Sequence, residues 1–239
     1  MTKVILPTLI FNKQLSIEEQ VATIKKLGAD GIEIRRERLE NISEDLRLFK
    51  QELEMAVFDA VIYSVPIELW QDPFSLNPDA IRALKEAEFL NATHIKFSLG
   101  KFDAKHADAK EFKEWIASNL PSSIKMLVEN DQTPYGGTLD SILSFFQWQT
   151  ETSVSMTFDV GNWTVQNENW SAAHLELSTW IEYLHLKTAA KTIDGWVNKP
   201  VDHDLLKLPY PAYTAIEFPL DNPQVEAPQW LEMIRKENS

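Results

Sequence analysis

The 239-residue chain contains no cysteine. That excludes a disulfide framework and thiol chemistry, and it accords with a reducing, cytoplasmic setting. Basic residues are also scarce: 23 Lys and Arg stand against 36 Asp and Glu, a formal net charge of −13. A duplex binder needs a surplus of such cations to displace counterions from phosphates, so nucleic acid is a poor partner, and so is an anionic membrane. No apolar run approaches the ~20 residues that cross a bilayer. The opening Met1-Thr2-Lys3-Val4-Ile5-Leu6-Pro7 reads as a first strand ended by proline, not as a secretory signal. No Gly-x-Gly-x-x-Gly fingerprint, P-loop, linker or low-complexity tract occurs. What remains is one domain acting on a small molecule. An anionic substrate would need a local cluster of basic groups.

The apolar fraction of 44% suffices for a substantial core, and the length suits a single (β/α)8 TIM barrel of roughly 200–250 residues. Extended and helical patterns alternate along the whole chain. Strands are expected at Val4–Leu9, Gly31–Arg35, Met55–Tyr63, Thr93–Phe97, Ile124–Glu129, Ser153–Asp159, Tyr183–Lys187 and Ala212–Phe218. Ser16 with Glu19 three residues on is a capping box, and Gly28 closes that helix. Ser43, Asn77-Pro78, Asp108, Thr138 and Ser171 are expected to open later helices, and Glu226–Lys236 to form the last. The seventh unit is weak: Thr188–Pro211 holds three prolines, so an irregular loop is expected there, with at most a short helix at Asp202–Lys207. Alternation of this kind indicates a parallel α/β sheet. It is satisfied by a closed barrel or an open doubly wound sheet, and the missing nucleotide motifs weigh against the latter.

Four apolar runs in the second half each end on a residue able to bind a metal: Met126-Leu127-Val128-Glu129, Met156-Thr157-Phe158-Asp159, Glu182-Tyr183-Leu184-His185 and Thr214-Ala215-Ile216-Glu217. Their spacing suits one strand plus one returning helix, repeated. In a closed barrel all four side chains emerge at the carboxyl-terminal rim, where such barrels carry their chemistry. Three carboxylates and one imidazole form a donor set for one divalent cation, with the imidazole favouring Mn, Co, Fe or Zn over Mg.

Val128-Glu129-Asn130, Phe158-Asp159-Val160-Gly161-Asn162, Leu184-His185-Leu186-Lys187 and Ile216-Glu217-Phe218 resemble motifs of the xylose-isomerase-like barrel superfamily of sugar isomerases and epimerases. With Ser64-Val65-Pro66-Ile67-Glu68-Leu69-Trp70 and the segment Val128 to Pro134, the chain is most similar to the epimerases linked to bacterial 2-ketogluconate use. The resemblance implies a metal held by Glu129, Asp159, His185 and Glu217. It implies proton transfer through a metal-stabilised enediolate, with Glu129 and Glu217 as the acid/base pair and Asp159 and His185 as ligands only. It also implies a small sugar or sugar-acid substrate, and homodimerisation, which relatives often show.

The basic residues bear on the substrate. Lys187 shares the inward face of His185 and serves either a substrate oxygen or a proton transfer, or else emerges into water. Glu33 is expected to orient another ligand or a substrate hydroxyl, or to pair with Arg35. Lys96 lies in a buried strand pattern and is expected to point into the mouth, where Arg35, Lys96 and Lys187 together would hold a carboxylate. Trp70, Trp163 and Trp196 are expected in rim loops, covering the site or packing between loops, and Trp163 is a candidate to stack on substrate. His94 reads as a core histidine, and His203 within Asp202-His203-Asp204 as surface. The chain departs from the wider superfamily at Thr188-Ala189-Ala190, in lacking Gly-x-Gly before the last strand, and in lacking a histidine near Tyr63–Pro66. The metal quartet is untouched by these departures, whereas the substrate side differs. Competing readings are a metal-dependent dehydratase on a keto-sugar or inosose-type substrate, a DNA-repair endonuclease, and a non-catalytic sugar-binding barrel. Five histidines and the net charge of −13 oppose the endonuclease.

Overall fold

The computed structural model describes residues 1–11, 15–150, 152–193, 195–202 and 205–237. Eight strands carry the architecture: β1 (Lys3–Pro7), β2 (Gly31–Arg35), β3 (Ala60–Asp72), β4 (His94–Gly100), β5 (Lys125–Glu129), β6 (Ser155–Asp159), β7 (Ile181–Leu186) and β8 (Tyr213–Ile216). All pair in parallel with their neighbours. β8 pairs back with β1, and β2 joins β1 to β3, so the sheet closes into a single (β/α)8 TIM barrel. The strands read as near-continuous apolar runs because both faces are covered. Outward side chains such as Val4, Leu6, Ile32, Ile34 and Phe158 join the large core beneath the helices. Inward ones form a second, smaller cluster of Ile5, Ile62, Leu127, Tyr183 and Ala215. Among the described residues, no helix is long and apolar enough to cross a membrane.

The helices are α1 (Ile17–Lys26), α2 (Ile42–Ala56), α3 (Asp79–Phe89), α4 (Ala109–Asn119), α5 (Leu139–Trp148), α6 (Val160–Val165), α7 (Trp170–Leu177) and α8 (Pro223–Glu237). Ser16 and Glu19 make both bonds of the capping box, and Asp108 and Thr138 cap as expected. Two other starts fall two residues earlier than Ser43 and Ser171 suggested. Asn41 accepts from the Glu44 N–H, and Asn169 accepts from Ser171 and Ala172, because asparagine caps as well as serine.

Three further expectations are corrected. Met55 belongs to α2, which stops where Val57 adopts a left-handed backbone (φ 48°), so β3 begins only at Ala60. β3 then runs past Pro66 to Asp72. Proline has no N–H for the ladder, and the register against β4 shifts between Ser64 and Glu68 to accommodate it. The seventh unit is not an irregular loop throughout: Thr188–Thr192 and Gly195–Lys199 form an antiparallel ribbon, followed by a 3-10 turn at Leu205–Lys207. Its prolines, Pro200, Pro209 and Pro211, all lie beyond the ribbon. His203 and Asp204 lie outside the described residues.

Candidate metal centre

The strand period of two builds the site in layers. Leu127, Thr157, Tyr183 and Ala215 point inward and are buried, forming a floor. Two residues later come Glu129, Asp159 and His185 on the same strands and Glu217 directly after β8. One ligand atom from each of these four lies within 4.8 Å of all the others. Donors around one first-row cation at ~2.0–2.2 Å stand up to about 4.4 Å apart, so a small inward movement of the four side chains would close them on a shared ion. His185 Nδ1 is 2.9 Å from Glu129 Oε1, 3.2 Å from Glu217 Oε2 and 3.5 Å from Asp159 Oδ2. Lys187 reaches Asp159 Oδ2, yet His185 Nδ1 is buried without a directed hydrogen bond. An unsatisfied buried nitrogen is costly, and a cation among these donors would satisfy it. The residues present therefore fit one divalent ion of the Mn, Co, Fe, Zn or Mg class.

A frame of hydrogen bonds aims these atoms. Asn130 bonds the Asp159 backbone reciprocally, donating to its carbonyl at 2.9 Å and accepting from its N–H at 2.8 Å. Asp159 Oδ1 caps α6 by accepting from the Asn162 N–H, which leaves Oδ2 for the site. Asn162 donates to the Asn130 carbonyl, and Gln132 donates to Asn162.

Three cations surround the quartet. Lys96 Nζ is 2.8 Å from Glu129 Oε1 and 3.6 Å from Glu33 Oε1. Lys187 Nζ bridges Asp159 Oδ2 at 2.7 Å and Glu217 Oε2 at 2.5 Å. Arg35 pairs with Glu33, Glu37 and Glu217. Burial opposes ionisation of every group here, and the partners decide the outcome. At Glu217 burial is outweighed by His185, Lys187 and Arg35, which hold the carboxyl well below its ordinary range. At Glu129 burial is likewise outweighed, by Lys96 and His185. At Asp159 burial prevails and raises the carboxyl despite Lys187. At Lys96 and Lys187 burial is overcome by the carboxylates, which keep both ammonium groups charged.

The structure thus brings Glu33, Arg35, Lys96 and Lys187 to the quartet and packs Trp70 and Trp163 away from it in the outer core. Trp163 sits in α6, fully buried in the outer core against the Phe158 ring. Trp70 is buried against Phe102, Phe112 and Trp148, while Trp196 lies on the ribbon, 41% exposed. His94 is a buried core histidine, edge-on to Tyr213. Sequence reasoning did not single out Tyr183, Asn130 or Asn162. Tyr183 carried a usable signal, since it precedes His185 by two on the same strand.

Gly161 has a steric role in this frame. A β-carbon there would meet Lys187 Cγ at 2.8 Å and Cε at 3.0 Å. The lysine stem cannot simply swing aside, because its ammonium is held by two carboxylates. Gly161→Ala is therefore expected to displace Lys187 and slow turnover on the order of 10-fold while far-UV circular dichroism stays unchanged. Wild-type turnover in that variant would separate Lys187 from the reaction.

No protein-family profile matches the chain, and no curated protein matches it in sequence. Solved structures do match in fold. The 3-keto-D-glucoside 4-epimerase YcjR of E. coli aligns with TM-score 0.68 at 14% identity, covering 99% of this chain and all of that one. The probable 3-DHS dehydratase AsbF of Bacillus anthracis aligns with TM-score 0.68 at 14% identity over 98% of this chain and 99% of its own. A xylose isomerase-like TIM barrel/4-hydroxyphenylpyruvate dioxygenase fusion protein gives 0.74 at 12% identity, covering 99% of this chain and 43% of that one. At this identity the likeness shows the fold alone, that of a TIM barrel.

Proposed function

We propose that this protein is a divalent-metal-dependent enzyme that epimerises or isomerises a sugar or keto-sugar acid, moving a proton at a carbon beside a carbonyl. One observation carries the reading: Glu129, Asp159, His185 and Glu217 converge at the barrel mouth with two glutamates among them. A divalent cation held by these four would offset negative charge as it develops on adjacent substrate oxygens. Glu129 is the most exposed of the quartet, its side chain 12% accessible, so it is placed to meet a substrate carbon from the mouth. Burial opposes its ionisation, but Lys96 and His185 hold it as the carboxylate, the form that a general base requires. Glu217 is the second acid/base group, and Lys187, bonded to it at 2.5 Å, donates to a substrate oxygen or passes on the proton. Arg35 and Lys96 add positive charge that favours an acidic substrate. Return of the proton to the opposite face of the same carbon inverts it, and delivery to the neighbouring carbon exchanges aldose and ketose.

A protein of this fold is named for 4-epimerisation of a 3-keto-D-glucoside, which supports the reading. Another is named a probable dehydratase, which makes elimination the alternative. Incubation of Mn²⁺-loaded protein with keto-sugars and keto-sugar acids in D₂O, followed by NMR, separates them. Deuterium exchange without loss of water is the expected result. A deoxy or unsaturated product would establish the dehydratase reading instead, and binding without exchange would indicate a non-catalytic sugar-binding barrel.

A further inference from the structure

We infer that Glu33 is a positioning residue for His185 and not a substrate group: with the Tyr183 hydroxyl it holds the imidazole so that Nε2 carries a proton and Nδ1 faces Glu129, Asp159 and Glu217. The inference extends the proposed metal reading by naming what aims its one nitrogen ligand. Glu33 is fully buried, and both its oxygens are engaged. Oε2 accepts from the Tyr183 hydroxyl at 2.6 Å and lies 3.0 Å from His185 Nε2. Oε1 accepts from Arg35 Nη1 at 3.3 Å and has Lys96 Nζ at 3.6 Å. An ionised carboxylate offers about four lone-pair sites. Three donors lie within hydrogen-bond distance and the Lys96 ammonium stands just beyond, so this fully buried group has little left to offer a sugar hydroxyl.

The same inventory assigns the imidazole. The Tyr183 hydroxyl, the Arg35 guanidinium and the Lys96 ammonium all present donors to Glu33, so its oxygens act as acceptors and Nε2 at 3.0 Å donates to it. Nδ1 then points into three carboxylate oxygens at 2.9–3.5 Å without a directed hydrogen bond. The ring has little freedom to turn away. Tyr183 meets it edge-on, centroids 4.5 Å apart and planes at 82°, from one layer below on the same strand. Glu33 is on β2 and His185 on β7, so the contact spans the barrel interior. A partner on the far nitrogen of a ligating histidine fixes its tautomer, and losing such a partner weakens metal binding by about 10–100-fold.

Two measurements on ¹⁵N-histidine-labelled protein test this: long-range ¹H–¹⁵N NMR of His185, and Zn²⁺ affinity by competition with a fluorescent chelator. Wild-type protein is expected to show a slowly exchanging Nε2–H with and without Zn²⁺. Glu33→Gln is expected to shift or lose that signal and to weaken Zn²⁺ binding about 10–100-fold. Should Glu33→Gln fail to fold, Tyr183→Phe removes one hydroxyl at nearly constant volume and should speed exchange of the Nε2 proton, with a smaller loss of affinity. A folded variant with wild-type His185 resonances and wild-type Zn²⁺ affinity would overturn the inference. If the Nε2–H signal depends on Glu33 but no divalent cation binds even the wild type, the positioning stands and the metal reading falls.

Discussion

Glu129→Gln is expected to lower deuterium exchange into substrate by about 10³-fold, within the range for losing a positioned general base. Glutamine keeps the volume and one oxygen but cannot accept the proton. The variant has a second effect that must be separated from the first. Lys96 is 2% exposed, and its closest carboxylate is Glu129 at 2.8 Å. Removing that charge leaves a buried ammonium with only Glu33 at 3.6 Å. Breaking a buried ion pair from one side costs about 3–5 kcal/mol, so the urea midpoint should fall with the activity. Lys96→Met combined with Glu129→Gln removes both charges and should recover part of that stability. It should recover none of the exchange. A stable double variant that remains inactive assigns the loss to chemistry, whereas wild-type exchange in Glu129→Gln would remove Glu129 from the reaction. Glu217→Gln is expected to behave alike, with Lys187 and Arg35 as the cations left behind.

Those residues were legible in the sequence because the strand period carries them. An inward residue at a strand end has its floor residue two positions earlier, as Leu127 precedes Glu129 and Tyr183 precedes His185. Repetition of that pattern at four strand ends marks a shared rim before any coordinate is known. The ribbon from Thr188 to Lys199 had no such mark. Both its faces are largely exposed, so Thr188-Ala189-Ala190-Lys191-Thr192 shows no alternation of apolar and polar residues. Trp163 was placed by analogy with aromatics that stack on sugars. Helix α6 starts directly after Asp159, so Trp163 falls on a helix and turns into the outer core, not the mouth. The link from Glu33 to Tyr183 and His185 joins positions 150 and 152 residues apart. No local pattern encodes it, and only closure of the barrel brings the partners together.

Adding Mn²⁺, Co²⁺ or Zn²⁺ to protein stripped by a chelator is expected to raise its melting temperature by about 5–10 °C. A ligand that binds only the folded state at 100 times its dissociation constant contributes about 2.7 kcal/mol, and each kcal/mol moves a domain of this size by about 2–4 °C. The stripped protein should nevertheless stay folded. Lys96 and Lys187 each stand within 2.8 Å of a ligand carboxylate, so the acids are not left to repel one another uncompensated. This differs from small zinc domains, whose folding free energy comes mainly from the ion. His185→Ala is the diagnostic variant. It removes the only nitrogen of the quartet and leaves Glu33 its bond from Tyr183 at 2.6 Å, so the barrel interior keeps most of its polar satisfaction. The variant should melt near the stripped wild type and lose at least half of the metal-induced rise. An equal rise in His185→Ala would place the cation elsewhere in the molecule. No rise with any of these ions in the wild type would leave Lys96, Lys187 and Arg35 as the counter-charges of the quartet, and an enediolate at this mouth would then have to be held by those side chains.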